Sequence, residues 1–233
     1  MFLTTINRWL NNIQYCALCG AQDNHLHGVC EDCHADLPWL IHACPCCALP
    51  LAHHESGLCH HCRRQRPAFH QVHAAFTYSF PLSALIPRIK YQRQPAHIGW
   101  LAAVLANFIE QRHQGPWPDA LIPVPMHPLS QIRRGYNQAA LLADRLGRRL
   151  GIPVCHQLKK YRWTPKQMSL SLEARHQNLH QAFKTLGYPG DHVALVDDVM
   201  TTGTTVTTLT ELLLQRGCRR VDVWVLARTP ESH

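Results

Sequence analysis

The chain has 233 residues, 46% of them apolar, and carries 23 Lys/Arg against 15 Asp/Glu for a formal charge of +8 and a pI near 9.1. That length and apolar content exclude a disordered or fibrous chain and allow one medium domain plus something small. The basic surplus is uneven, with four Lys/Arg and five Asp/Glu in residues 1–70 but nineteen and ten in residues 71–233, so the later part suits polyphosphate ligands and is also compatible with nucleic acid.

The first segment, MFLTTINRWLNNIQY, places Phe2, Ile6, Trp9, Leu10 and Ile13 near helical spacing, which predicts a short amphipathic helix. It holds too many Asn, Gln and Arg for a signal-peptide core, and no apolar run reaches bilayer length. The expectation is a soluble, cytoplasmic protein without a membrane span. Eleven Cys in a reducing compartment then argue for metal before disulfides.

Four C-x2-C knuckles follow: Cys16 with Cys19, Cys30 with Cys33, Cys44 with Cys47, and Cys59 with Cys62. Each knuckle lets two thiolates grip one ion and two knuckles complete a tetrahedron, so eight Cys imply two structural Zn ions. Closed four-thiolate sites leave no open position for catalysis, and their expected role is to fold a segment too small for its own core. Sequential pairing, first with second and third with fourth, is expected; an interleaved cross-brace is the alternative. Cys46 lacks the knuckle spacing and is left out, and His34, His53, His54, His60 and His61 are read as surface residues.

A Cys-free stretch begins near Phe69. His73 to Tyr78 alternates like a strand, Leu82 to Tyr91 reads as a helix ending in the basic run Arg88-Ile-Lys90-Tyr-Gln-Arg93, and Trp100 to Gln111 reads as an apolar helix. Lys90 is a candidate for pyrophosphate or loop contacts. Gly115 to Pro118 turns the chain into a strand at Ala120 to Val124. PVPMHPLSQIRRGYNQ comes next, with Arg133 and Arg134 read as loop residues suited to an anion. Ala139, Leu142, Leu146 and Leu150 then share one helical face. Ile152 to Leu158 is expected to be a strand, followed by the basic, aromatic run Lys159 to Gln167.

His192 to Thr205, HVALVDDVMTTGTT, carries the chemistry. Val193 to Val196 reads as a strand buried on both faces, and the apolar spacing from Val206 to Leu213 reads as a helix opened by the Thr/Gly turn. Gly203 permits close backbone approach, and Thr201, Thr202, Thr204 and Thr205 surround it near a helix start, which together suit phosphate. Asp197 and Asp198 stand at the carboxyl end of the strand, where they can reach ribose hydroxyls or a hydrated Mg²⁺. No P-loop Lys and no G-x-G-x-x-G is present. Arg219 to Arg228 supplies the last strand.

The run VALVDDVMTTGTT resembles the phosphoribosyl pyrophosphate (PRPP) motif of type I phosphoribosyltransferases, in which the loop holds the 5′-phosphate and the acids hold the ribose hydroxyls. With the eight Cys and the PVPMHP and RRGYNQ blocks in the same order, the chain resembles the ComF family, competence-associated phosphoribosyltransferase-like proteins with an N-terminal double zinc ribbon, over residues 15–228. The fold expected is α/β: a type I phosphoribosyltransferase-like, mostly parallel sheet of five or so strands with helices on both faces, preceded by a zinc-ribbon module. The division expected is residues 1–68 and 69–233.

That resemblance implies a transferase in which a nitrogen nucleophile displaces pyrophosphate from PRPP with Mg²⁺. Asp197 and Asp198 are the catalytic candidates, and they bind PRPP together with Thr201, Thr202, Gly203, Thr204 and Thr205. It also implies an association with DNA uptake or the use of external DNA. The rival reading is a non-catalytic PRPP- or nucleotide-binding adaptor that meets single-stranded DNA or a helicase-like partner. For the run containing Trp163 and Tyr161, a closing lid, a base-stacking platform and a plain linker all remain open. Ordinary base salvage is the weakest reading: no C-terminal hood is evident, and Thr201 stands where the 6-oxopurine enzymes sharing this motif carry an acid.

Overall fold

The computed structural model describes residues 15–22, 25–52, 54–161 and 182–231. The N-terminal amphipathic segment, His53 and the stretch from Arg162 to Gln167 lie outside the described residues. In chain order the elements are β1 (His25–Leu26), β2 (Val29–Cys30), α1 (Glu31–Ala35), α2 (His60–Arg64), β3 (Val72–Thr77), α3 (Leu82–Tyr91), α4 (His97–Arg112) and β4 (Ala120–Pro123). They continue with α5 (Pro128–Arg134), α6 (Gln138–Leu150), β5 (Leu158–Lys160), β6 (Phe183–Thr185), β7 (His192–Met200), α7 (Thr204–Gln215) and β8 (Arg220–Arg228). Among the described residues no helix is long and apolar enough to cross a membrane.

The central sheet is parallel, in the order β3-β8-β7-β4. An apolar run in such a sheet must bury both faces, and β7 does so by alternation. Ala194 and Val196 join a core with Leu101 and Leu105 of α4 and Leu142 and Leu146 of α6. Val193 and Leu195 join a core with Leu209 and Leu213 of α7. This is the type I phosphoribosyltransferase arrangement, helices on both faces of a parallel sheet, joined to a cysteine module.

Three expectations need correction. The strand carrying the acids does not stop at Val196 but runs through both Asp to Met200, paired throughout with β8. Among the described residues the sheet has four strands. Ile152 to Leu158 is not a fifth: Val154 makes a single parallel bridge to Leu121, and Leu158–Lys160 pairs antiparallel with β6 in a separate two-stranded sheet. Pro153 accepts from the Leu121 N–H at 2.9 Å and the Cys155 N–H donates to the Leu121 carbonyl at 2.8 Å, but the next rung toward Leu158 needs an N–H at position 123, which is Pro. The third correction concerns Arg133 and Arg134, which belong to helix α5 and not to a loop. Pro128 occupies its first turn, the His127 side chain accepts from the Leu129 N–H at 3.2 Å, and Gly135 at φ 92° ends it.

The cysteines form two tetrads, Cys16, Cys19, Cys30 and Cys33, and Cys44, Cys47, Cys59 and Cys62, with the sulfurs of each set within 4.8 Å of one another. The pairing is sequential. The two units repeat one geometry, since the Cys30 N–H donates to Cys16 Sγ and the Cys59 N–H to Cys44 Sγ, each at 3.3 Å. Burial pushes both acceptor thiols up, but backbone N–H groups outweigh it and bring Cys16 to about 6 and Cys44 to about 7. Such thiols suit thiolate ligation of zinc. Cys46 stays outside both sets, and its carbonyl accepts from the Val72 N–H at 2.9 Å.

The tetrads straddle the sheet. Cys16 and Cys30 pack in the α4 and α6 core, whereas Cys44, Cys47, Cys59 and Cys62 pack in the α7 core. The segment joining them runs antiparallel beside β3, where the Leu40 N–H donates to the Ala75 carbonyl at 2.9 Å and the Thr77 N–H to the Pro38 carbonyl at 2.8 Å. Because two closed four-thiolate sites use all eight residues, elemental analysis of freshly prepared, reduced protein is expected to find about two zinc ions per chain. One ion or none would refute the assignment.

Candidate functional site

The two acids that close β7 are held differently. Asp198 is buried, with Lys90 Nζ 2.6 Å from its Oδ2 and Gln138 Nε2 donating to its Oδ1 at 3.3 Å. Asp197 is half-buried, and its Oδ1 accepts from the Asp198 N–H at 2.8 Å. Burial first, and then the neighbouring charge of Asp198, push the Asp197 carboxyl well above the usual carboxylate range. Burial pulls Lys90 down, but the charge of Asp198 and its hydrogen bond outweigh this, so the ammonium is held above its ordinary value. The site therefore contains one firm ion pair beside a second carboxyl whose ionisation is disfavoured by burial and by its charged neighbour.

The RRGYNQ block builds the support. The Tyr136 hydroxyl donates to the Ile89 carbonyl, which fixes the last turn of α3 and so the root of Lys90. Asn137 caps α6 by accepting from the Ala139 N–H at 3.0 Å, while its Nδ2 donates to the Val124 carbonyl, also at 3.0 Å. That double bond fastens α6 to the end of β4. Gln138, the first residue of α6, lies four positions before buried Leu142 and faces inward to Asp198.

Of the cations singled out by sequence, Lys90 meets the acid pair directly. Arg134 reaches it through Gln138, to whose Oε1 it donates, while its guanidinium lies over the Tyr91 ring at 5.6 Å. Arg133 is exposed, and its carbonyl accepts from Arg93 Nη2 at 3.2 Å.

Beyond Met200 the chain turns through Thr201 and Thr202, both exposed, to Gly203 at φ 80°, the N-cap of α7. A Cβ there would meet Met200 Cε at 2.6 Å, so both conformation and space select glycine. The Thr202 and Thr204 hydroxyls are 2.9 Å apart, and Thr202 Oγ1 accepts from the Thr204 N–H at 3.4 Å. With Thr205 in the first turn, these hydroxyls ring a helix start whose first N–H groups lack intrahelical acceptors, an arrangement suited to a phosphate.

Sequence reasoning missed Gln138, Tyr136 and Arg228. The first had a signal, since position 138 extends the apolar face of α6 and a polar residue there must find a buried partner. Arg228 had one as well, being the lone cation that closes an otherwise apolar strand end. Tyr136 had none, because its partner is a backbone carbonyl on another helix.

Comparison with known proteins agrees with this geometry. Residues 131–233 match the phosphoribosyl transferase domain model, and residues 13–66 match the double zinc ribbon domain model. Competence protein F of Haemophilus influenzae is 36% identical over 214 residues, covering 87% of this chain and 91% of that protein. DNA utilization protein YhgH of Escherichia coli (strain K12) is 34% identical over 207 residues, covering 87% and 91%. Competence protein ComFC of Bacillus subtilis is 25% identical over 199 residues, covering 81% and 79%. With a phosphoribosyltransferase fold, two cysteine tetrads and relatives aligned along most of its length, this chain belongs to the ComF family.

Proposed function

We propose that this chain binds PRPP with Mg²⁺ at the carboxyl end of β7 and transfers the phosphoribosyl group to a nitrogen acceptor, in a cytoplasmic role tied to DNA uptake or the use of external DNA. The observation that carries the reading is the juxtaposition of a buttressed acid pair, Asp197 and Asp198, with the Thr201 to Thr205 cradle one turn further along. The names of the relatives, competence and DNA utilization proteins, support the cellular context.

In this reading the cradle anchors the 5′-phosphate, and the two acids take the ribose hydroxyls. Carboxylate oxygens also suit a hard divalent cation, and Asp197, with only part of its surface covered, has the freer approach to one. The ion's contribution when bound is to offset charge on the pyrophosphate. Lys90, Arg134 and Arg133 supply positive charge on the neighbouring helices, where it favours the polyanion. The bond from C1 to the pyrophosphate oxygen breaks with its electron pair leaving on oxygen. The acceptor nitrogen then forms the new C1–N bond with its lone pair and releases a proton. Fixed charges held in advance of the reaction provide most of the stabilisation.

The second reading, a binding adaptor without turnover, draws on a different surface. On β5 and β6, Lys160 lies 5.3 Å from the Phe183 ring, and Lys184 lies 5.5 Å from the Tyr161 ring, which is exposed. Phe183 is buried, so it is the exposed Tyr161 ring, with Lys184 beside it, that suits a stacked base of single-stranded nucleic acid. Release of pyrophosphate from PRPP with candidate acceptors separates the two readings, because an adaptor binds without release.

Replacing both acids, Asp197→Asn with Asp198→Asn, is expected to weaken PRPP binding while the fold persists, since charged hydrogen bonds contribute roughly 1.5–3 kcal/mol each. Unchanged affinity by calorimetric titration would remove the site assignment. A further expectation is negligible formation of inosine monophosphate from hypoxanthine and PRPP, because the Thr201 hydroxyl cannot take a proton near neutral pH. Robust turnover in that assay would make base salvage the leading function.

A further inference from the structure

Arg228, the last residue of β8, is buried yet takes no carboxylate partner among the described residues; its guanidinium is instead spread over main-chain carbonyls. Nε donates to the Cys47 carbonyl at 3.2 Å. Nη1 donates to the carbonyls of Met200 at 3.2 Å, Thr201, and Thr229 at 3.1 Å, with the Thr229 hydroxyl at 3.4 Å. One side of the group thus holds a knuckle of the second tetrad, and the other holds the backbone that enters the phosphate cradle. A cleft of about 1040 Å³ lies between these two parts, lined by Cys47 and Cys62 on one wall and Thr201 to Gly203 on the other. His61 Nε2 spans the same region to Glu231 Oε1 at 2.6 Å.

We propose that Arg228 is a positioning residue that makes the geometry of the phosphate cradle depend on an ion in the second cysteine tetrad. Cys47 contributes its thiolate to that tetrad and its carbonyl to Arg228, so an ion that fixes the sulfur also fixes the acceptor. Without the ion the 44–47 turn gains freedom, and a rigid guanidinium fork cannot follow a moving carbonyl while keeping its bonds to the loop. A buried cation that loses an acceptor must find another or be hydrated, and either result shifts the Met200 and Thr201 carbonyls. The first tetrad provides an internal control. It lies on the opposite face, where Gly28 packs on Trp100 at 3.0 Å from an ideal Cβ, away from the cradle. The consequence for ligand affinity rests on the PRPP reading above, whereas the mechanical coupling does not.

The test uses the full chain and measures amide hydrogen exchange over residues 199–206 by mass spectrometry, with zinc content and PRPP affinity determined on the same samples. Cys62→Ser and Arg228→Gln are each expected to speed exchange in this segment by about tenfold, the lower end of what losing one charged hydrogen bond produces. Arg228→Lys should restore part of the protection, and the Cys62→Ser, Arg228→Gln double variant should exchange no faster than the faster single, since both cut one route. Cys19→Ser should also lose an ion but leave the segment unchanged. PRPP affinity should fall with the exchange rates. Unaltered exchange in a folded Cys62→Ser protein that has lost one ion, or an equal effect of Cys19→Ser, would overturn the proposal. Should Arg228→Gln fail to fold, the contrast between the two cysteine variants decides the matter. Failure of the unmodified chain to bind PRPP would remove the functional reading, and the exchange contrast would still decide the coupling.

Discussion

A buried carboxylate is the constraint on which this structure turns. Carrying β7 through Asp197 and Asp198 places two acids against the sheet, where an uncompensated charge would cost several kcal/mol. Compensation comes from three directions. Lys90 arrives from α3, Gln138 arrives from α6, and Arg134 from α5 holds Gln138 in turn. Tyr136 and Asn137 then tie those helices to each other and to β4. The block RRGYNQ is thus a frame for the acid pair in this chain: among the described residues its Gln138, with Lys90 of α3, touches the Asp198 carboxylate. The arrangement fits a site that must keep acids ready for hydroxyl groups without letting them repel each other apart.

The metal module answers a different shortage. A short segment rich in Cys and His cannot enclose a core of its own, and here it borrows the body's two cores, one tetrad to each. Gly28 packs on Trp100, and Leu40 and Leu49 join the α7 side. The zinc sites and the sheet therefore share their apolar contacts, which is why the ribbon and the transferase body meet along so much of their length.

Much of this is legible in the residues and some is not. The eight ligands follow from spacing alone, because a C-x2-C knuckle is a local geometry. The central strand, the helices at Leu82 to Tyr91 and after Asn137, and the Gly203 turn are equally local. Lys90 can be marked as a cation near the site, but its bond to Asp198 joins residues far apart in the chain, and no periodicity reports such a contact. Arg133 and Arg134 are helical, with His127-Pro128 and Gly135 as ordinary start and stop signals; a glycine beside two arginines suggests a loop and masks those signals. Ile152 to Leu158 fails as a strand because its apolar content says nothing of the N–H that Pro123, on the neighbouring strand, lacks. The seating of the tetrads on opposite faces has no signal, as it depends on which edge of the sheet is left free.

That edge has a consequence of its own. β3 lies at the margin of the sheet, and the Pro38 to Leu40 segment supplies its outward hydrogen-bond partners. This segment is pinned at both ends by a cysteine cluster, so oxidation or loss of metal at either end loosens the strip that covers the margin. Without that strip, and the Trp39 ring it lays 4.8 Å from Phe76, the β3 edge is a template for pairing with another strand.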